Sequence, residues 1–233
     1  MCYDATMPRR ARVSKGGYVY HVMNQAAGRW KICRKDADYA AFEQVIEETY
    51  ERLPMRILSY CLLPTSWQIV LWPRKDHELS EFMRLLTVKQ TRRWHAQNDL
   101  AGSGALYRGR FKSFPVQPDD SLLTVCRSVE ASALVAKEVD RAEAWPWGSA
   151  FKRRQKDSPA WLLADEHWPV TRPTNWVSLL NRPMQEQEIE RVRVSVVRGR
   201  PLGQDKWVMR TARALSLEST LRPRGRPRKL VDE

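Results

Sequence analysis

The sequence predicts an α+β fold: a ferredoxin-like (RRM-like) antiparallel sheet with helices on one face, followed by a basic, mainly helical and partly disordered C-terminal extension. Three observations lead to this expectation. Apolar periodicity over residues 17–139 runs strand, helix, strand, strand, helix, strand, helix, the order of a split β-α-β unit. Two of those strands are separated only by Pro64, Thr65 and Ser66, so they close an antiparallel hairpin. Beyond Trp147 the periodicity weakens, and the end, LRPRGRPRK, is too rich in Pro, Gly and Arg to build a core.

The elements follow in order. GYVYHVM (Gly17 to Met23) is β-branched and aromatic with alternation, which makes it a strand. In DADYAAFEQVIEETYERL, Phe42, Val45, Ile46 and Thr49 recur at helical spacing, Asp36 or Asp38 can cap the start, and Pro54 ends the helix. MRILSYCLL and WQIVLW are the two hairpin strands. From Ser80 to about Gln97, Phe82, Leu85, Leu86 and Val88 mark a second helix with basic residues between them. NDLAGSG is a loop, Lys112 to Gln117 a short fourth strand, and Asp119 or Asp120 caps a helix predicted to run to Val139. Residues 151–195 have scattered Trp and Pro, with a mixed-charge helix near Met184 to Val196 and another over Asp205 to Leu217. The expected divisions are a basic arm (1–16), a main domain (17–150), a linker or helical extension (151–197) and a basic tail (198–233).

Composition narrows the function. The chain of 233 residues carries a formal net charge of +13 and a sequence pI of about 9.9. That balance favours a polyanionic partner, nucleic acid before an anionic membrane surface. No run of 18 apolar residues exists, so no membrane span is expected, and the basic start lacks the apolar region of a secretory signal. Cys2, Cys33, Cys61 and Cys126 show no CxxC spacing, which argues against a zinc site and for reduced thiols, with Cys61 and Cys126 in the core.

Four segments, in this order, carry a family resemblance: YHVMNQAAGRWKICRKDADYAAF, LSYCLLPTSWQIVLWP, YRGRFKSFPV with the acidic turn after it, and RSVEASALVA followed by AWPWGSA. Over roughly residues 13 to 150 the chain resembles the REP-associated tyrosine transposases, members of the single-tyrosine HUH transposases. The resemblance implies hairpin or single-stranded repeat DNA as partner, a homodimer, and a prokaryotic cytoplasmic, nucleoid-associated setting. It also implies a chemistry. Two histidines at i and i+2 of one strand face the same side and hold a divalent metal that polarises the scissile phosphate. A tyrosine on the last helix attacks the phosphorus and stays joined to the DNA 5′ end. A polar residue one turn later completes the metal shell.

This chain departs from that set. The histidine positions match Ser66 and Gln68, the tyrosine Ser128, and the later polar residue, usually asparagine, Ser132. Serine hydroxyls and a glutamine amide are poor metal ligands. The expectation is a catalytically inactive DNA-binding protein with no metal or other cofactor; magnesium or manganese would enter only if the chain were active. His21 on the first strand can face the former metal site, although a lone strand histidine is commonly just packed or solvated, while His77, His95 and His167 show no ligand spacing.

The DNA contacts expected from basic side chains interleaved with aromatics are Lys89, Arg92, Arg93 and Trp94 on the second helix and Tyr107, Arg108, Arg110 and Lys112 after it. The tail supplies Arg222, Arg224, Arg226 and Arg228, where Gly225-Arg226-Pro227 resembles a minor-groove hook and serves equally as a nonspecific electrostatic tail. Two other readings stay open. One is an active transposase or nuclease with a rearranged site, in which Tyr107 or Tyr60 replaces the nucleophile. The other is an RNA-binding module using Tyr18, Tyr20 and Trp72.

Overall fold

A computed structural model describes residues 13–28, 30–98 and 104–222. Its centre is one antiparallel sheet of four strands, β1 (Val19–Gln25), β2 (Arg56–Leu62), β3 (Ser66–Trp72) and β4 (Lys112–Val116), in the order β2-β3-β1-β4. This is the α+β, ferredoxin-like sheet that the element order predicts. The β2–β3 hairpin turns at Pro64 and Thr65. There Leu63 donates to the Ser66 carbonyl at 2.8 Å, and the Pro64 carbonyl receives the amides of Ile32 and Cys33.

Strand alternation divides the side chains between two cores. Tyr20, Val22, Ile57, Tyr60, Leu62, Trp67, Ile69 and Leu71 join the core built with α1 (Asp36–Arg52) and α2 (Glu78–Gln97). Val19, Leu58, Val70, Phe114 and Val116 join the other, built with α3 (Asp120–Glu130) and the C-terminal segments. The expected helices on one face are therefore α1 and α2, and the opposite face is covered as well. Helix α1 starts at Lys35 as N-cap, with the Asp38 carboxylate accepting from the Arg34 and Lys35 amides. It ends before Pro54, which cannot continue a helix.

Helix α3 is capped by Asp119, whose carboxylate accepts from the Ser121 amide at 2.8 Å. It is shorter than its predicted run to Val139. It ends at Glu130, a separate turn α4 (Ser132–Val135) follows, and Lys137 takes a positive φ of 59°. Ser132 Oγ donates to the Ser128 carbonyl, the type of back-bonding that bends helices.

Residues 151–197, expected as a linker and helical extension, pack onto the sheet through Trp168, Trp176, Leu180 and Val192, and Leu202 of the expected basic tail joins the same core. They carry α6 (Trp176–Leu180) and α7 (Glu186–Arg198), preceded by the turn α5 (Ser149–Lys152). Leu202 extends the sheet edge: its amide donates to the Pro115 carbonyl and its carbonyl accepts from the Gln117 amide, both at 2.9 Å. The last described helix is α8 (Asp205–Ala214). No helix among the described residues is long and apolar enough to cross a membrane.

Candidate functional site

Helix α2 and the chain leading into β4 form a basic groove. On α2, Arg84, Val88 and Arg92 succeed one another at i, i+4 and i+8, so one exposed stripe carries two guanidinium groups around an apolar step. Across from it runs 104–111, anchored where Ala26 pairs with Tyr107 and where the Arg108 amide donates to the Gln25 carbonyl. Asn24 Nδ2 donates to the Gly109 carbonyl at 3.2 Å, fixing the turn that projects Arg108 and Arg110. The resulting cavity of about 480 Å³ is lined by Arg84, Val88, Arg92, Arg110 and Phe111, among others. A smaller one beside it, of about 290 Å³, is lined by Arg108, Arg110 and Lys112. Arg84, Arg92, Arg108, Arg110 and Lys112 are all exposed. A row of exposed cations beside a partly apolar floor suits a phosphate backbone with unstacked bases.

The structure separates the expected contact residues. Arg92, Arg108, Arg110 and Lys112 border this groove or its neighbour. Lys89 and Arg93, one turn apart, face α1 instead, where Glu48 binds both at 3.2 and 2.8 Å. These partners hold the Glu48 carboxyl below the usual range, Arg93 first. Trp94 is a correction: it is buried against Trp30, and its indole N–H donates to the Lys31 carbonyl, so it has no free face for a base. Tyr107 is a second correction. Its ring closes the groove floor but packs into the α1–α2 core, and its hydroxyl accepts from Trp67 Nε1 at 3.1 Å. Arg84 escaped the sequence reading; its i, i+4, i+8 relation to Val88 and Arg92 was the available signal. Arg222 is exposed, and Arg224, Arg226 and Arg228 lie outside the described residues.

The positions that the resemblance assigns to catalysis lie on the α3 side of the sheet. Ser66 and Gln68 share a strand face and pair with Gln25 and Met23 of β1. Gln68 is bonded at both ends of its amide: its Oε1 lies 2.9 Å from His21 Nε2, and its Nε2 donates to Ser132 Oγ at 2.8 Å. Ser132 Oγ in turn donates to the Ser128 carbonyl at 2.8 Å. A chain of hydrogen bonds thus links β1, β3 and the α3–α4 junction. These residues do not fit a divalent ion. The amide and hydroxyl are already bonded to each other, and no group of three His, Cys, Asp or Glu that could hold a metal exists among the described residues.

Both substitute nucleophile candidates, Tyr60 and Tyr107, are buried. Burial pushes the Tyr60 hydroxyl well above its ordinary pKa, and it donates to Glu43 at 2.6 Å. Burial also raises Tyr107.

His21 is the titratable member of the chain. Burial lowers its pKa from 6.5 to about 4, against the opposing effect of the Gln68 hydrogen bond. With Gln68 Nε2 donating to Ser132, its Oε1 is the acceptor, so His21 carries its proton on Nε2. Its Nδ1 is buried without a partner. Above pH 6.5 the ring is neutral folded or unfolded and contributes no pH dependence. Between pH 6.5 and about 4 only the unfolded chain takes the proton, and stability falls by about 3 kcal/mol in total from this group. Urea unfolding across that range should show the loss, and His21→Phe should flatten it; an equal slope in the variant would refute the assignment.

The sequence matches no protein-family model and no curated protein. The fold is similar to a solved structure of a REP-associated tyrosine transposase bound to a REP hairpin. The TM-score is 0.52 at 15% sequence identity, over 68% of this chain and 92% of that chain.

Proposed function

We propose that this chain is a transposase-like DNA-binding protein that recognises hairpin or single-stranded repeat DNA and does not cleave it. One observation carries the reading. The chain shares its fold with a transposase solved on a REP hairpin, while Gln68 and Ser132, the positions that the sequence resemblance implies for metal ligands, are bonded to one another. Binding rests on the groove cations Arg84, Arg92, Arg108, Arg110 and Lys112, with phosphate neutralisation supplying affinity. The basic tail from residue 198, including Arg222, Arg224, Arg226 and Arg228, adds sequence-independent attraction. In this reading residues 17–150 are the DNA-recognition domain and 151–197 brace it.

The test is a fluorescence-anisotropy titration of labelled hairpins at several salt concentrations. A DNA hairpin is expected to bind with log affinity falling linearly in log salt, with a slope of about −3 or steeper for four or more phosphate contacts. An RNA hairpin of the same sequence is expected to bind more weakly. Preference for RNA would instead favour an RNA-binding module, and absence of salt-dependent binding would remove nucleic acid altogether.

A further inference from the structure

A cavity of about 840 Å³ lies above the Gln68–Ser132 chain, between the α3–α4 junction and α7. Its volume falls in the range of small-molecule sites. The walls are aliphatic, led by Leu134, Val135, Leu180, Met184, Ile189 and Val192, and neither an aromatic nor an acidic side chain lines it. Such walls suit a flexible saturated body rather than a planar base, which would need a ring to stack on. The polar floor is already satisfied. Gln68 and Ser132 bond as described, and Asn181 accepts from the Ala142 amide and donates to Glu143. A floor of this kind holds water weakly and gives no anchor to a metal or phosphate.

Two groups at the cavity retain polar capacity. Arg182 is exposed at the rim, and its guanidinium has no partner among the described residues. Arg193, also at the rim, is held by Glu190 at 2.6 Å. Apolar surface stays open at the mouth, where Val135 is 78% and Ile189 44% exposed. An apolar trough with an unpaired cation at its rim, the neighbouring Glu190 being taken up by Arg193, is complementary to an amphipathic acid.

We infer that this cavity binds an aliphatic carboxylate, with the acyl chain along α7 and the carboxylate at Arg182. The inference rests on the cavity alone and is independent of DNA binding. Titration of the full chain, methyl-labelled at Ile, Leu and Val, with decanoate below its micelle concentration tests it by NMR. Saturable shifts are expected at the methyls of Leu134, Val135, Ile189 and Val192. Decanol is expected to bind the same methyls more weakly, and decyltrimethylammonium least. Arg182→Glu should weaken decanoate about fivefold or more, as expected for loss and reversal of one ion pair, and leave decanol unchanged. Val135→Trp, a change at an exposed position, should block both probes while circular dichroism and Tm stay level. Absence of saturable shifts at these methyls, or equal binding of decanoate by Arg182→Glu, would overturn the inference.

Discussion

Simultaneous replacement of Arg84, Arg92 and Arg110 by Ala is expected to weaken DNA-hairpin binding by on the order of a hundredfold at about 0.1 M salt. The three residues line one groove, two from a single stripe of α2 and one from the loop that Asn24 pins. Each guanidinium is exposed, so the loss reads as lost phosphate contacts rather than a damaged core. The slope of log affinity against log salt should become shallower by about 2 to 3, one contact per residue. Lys89→Ala with Arg93→Ala is the matched control. Those cations are held by Glu48 and should alter affinity little while loosening α2 from α1. Anisotropy titrations of both variants decide the matter. An unchanged slope in the triple variant would move the interface elsewhere.

Glu130→Ala is expected to cost about 3–5 kcal/mol of stability, the range for removing one partner of a buried ion pair. Glu130 is the polar centre of the second core. Its carboxylate accepts from Ser149 Oγ and Trp176 Nε1, both at 2.7 Å, and lies 3.5 Å from Arg172. Its side chain is 0% exposed and that of Arg172 only 10%. Arg172 is sandwiched by Trp168 and Trp176 at 5.1 and 5.0 Å and also pairs with Asp165, which in turn binds Arg153. Two carboxylates therefore balance two arginines beneath a tryptophan cover. Without Glu130, the Trp176 indole N–H loses its acceptor and Arg172 keeps only the half-exposed Asp165, while Ser149 Oγ retains the Tyr60 carbonyl. Urea unfolding should show the shift, with Glu130→Gln milder because the amide oxygen still accepts. A loss below about 1 kcal/mol for Glu130→Ala would mean that water replaces the carboxylate and that residues 151–180 are not held by this network.

Much of the sheet was legible because its strands alternate and its hairpin turns on Pro64, both local signals. Residues 151–202 were not, since their helices are short and their anchors, Trp168, Trp176 and Leu202, act through distant partners. The break after Glu130 was hidden for a related reason: Ser132 is an ordinary helix residue until its hydroxyl turns back to Ser128. The basic pattern pointed to Arg92, Arg108, Arg110 and Lys112, which border the groove or its neighbour. It could not separate them from Lys89 and Arg93, whose partner Glu48 lies in another helix. Trp94 and Tyr107, next to cations in sequence, look like stacking platforms, and only tertiary packing reveals them as core. The sequence placed His21 on a strand that can face the former metal site, but did not reveal its hydrogen bond to Gln68. The closure of that chain onto Ser132 required the helix junction to be in place.

The most direct test of a transposase fold without transposase chemistry is a covalent-adduct assay. Labelled single-stranded hairpin DNA is incubated with the chain and magnesium or manganese, then resolved on a denaturing protein gel. A variant carrying Ser66→His, Gln68→His, Ser128→Tyr and Ser132→Asn runs beside it. The expected result is no covalent band from the unchanged chain and a metal-dependent band from the variant. A metal-dependent band from the unchanged chain would contradict the proposed inactivity and return the nucleophile to the search.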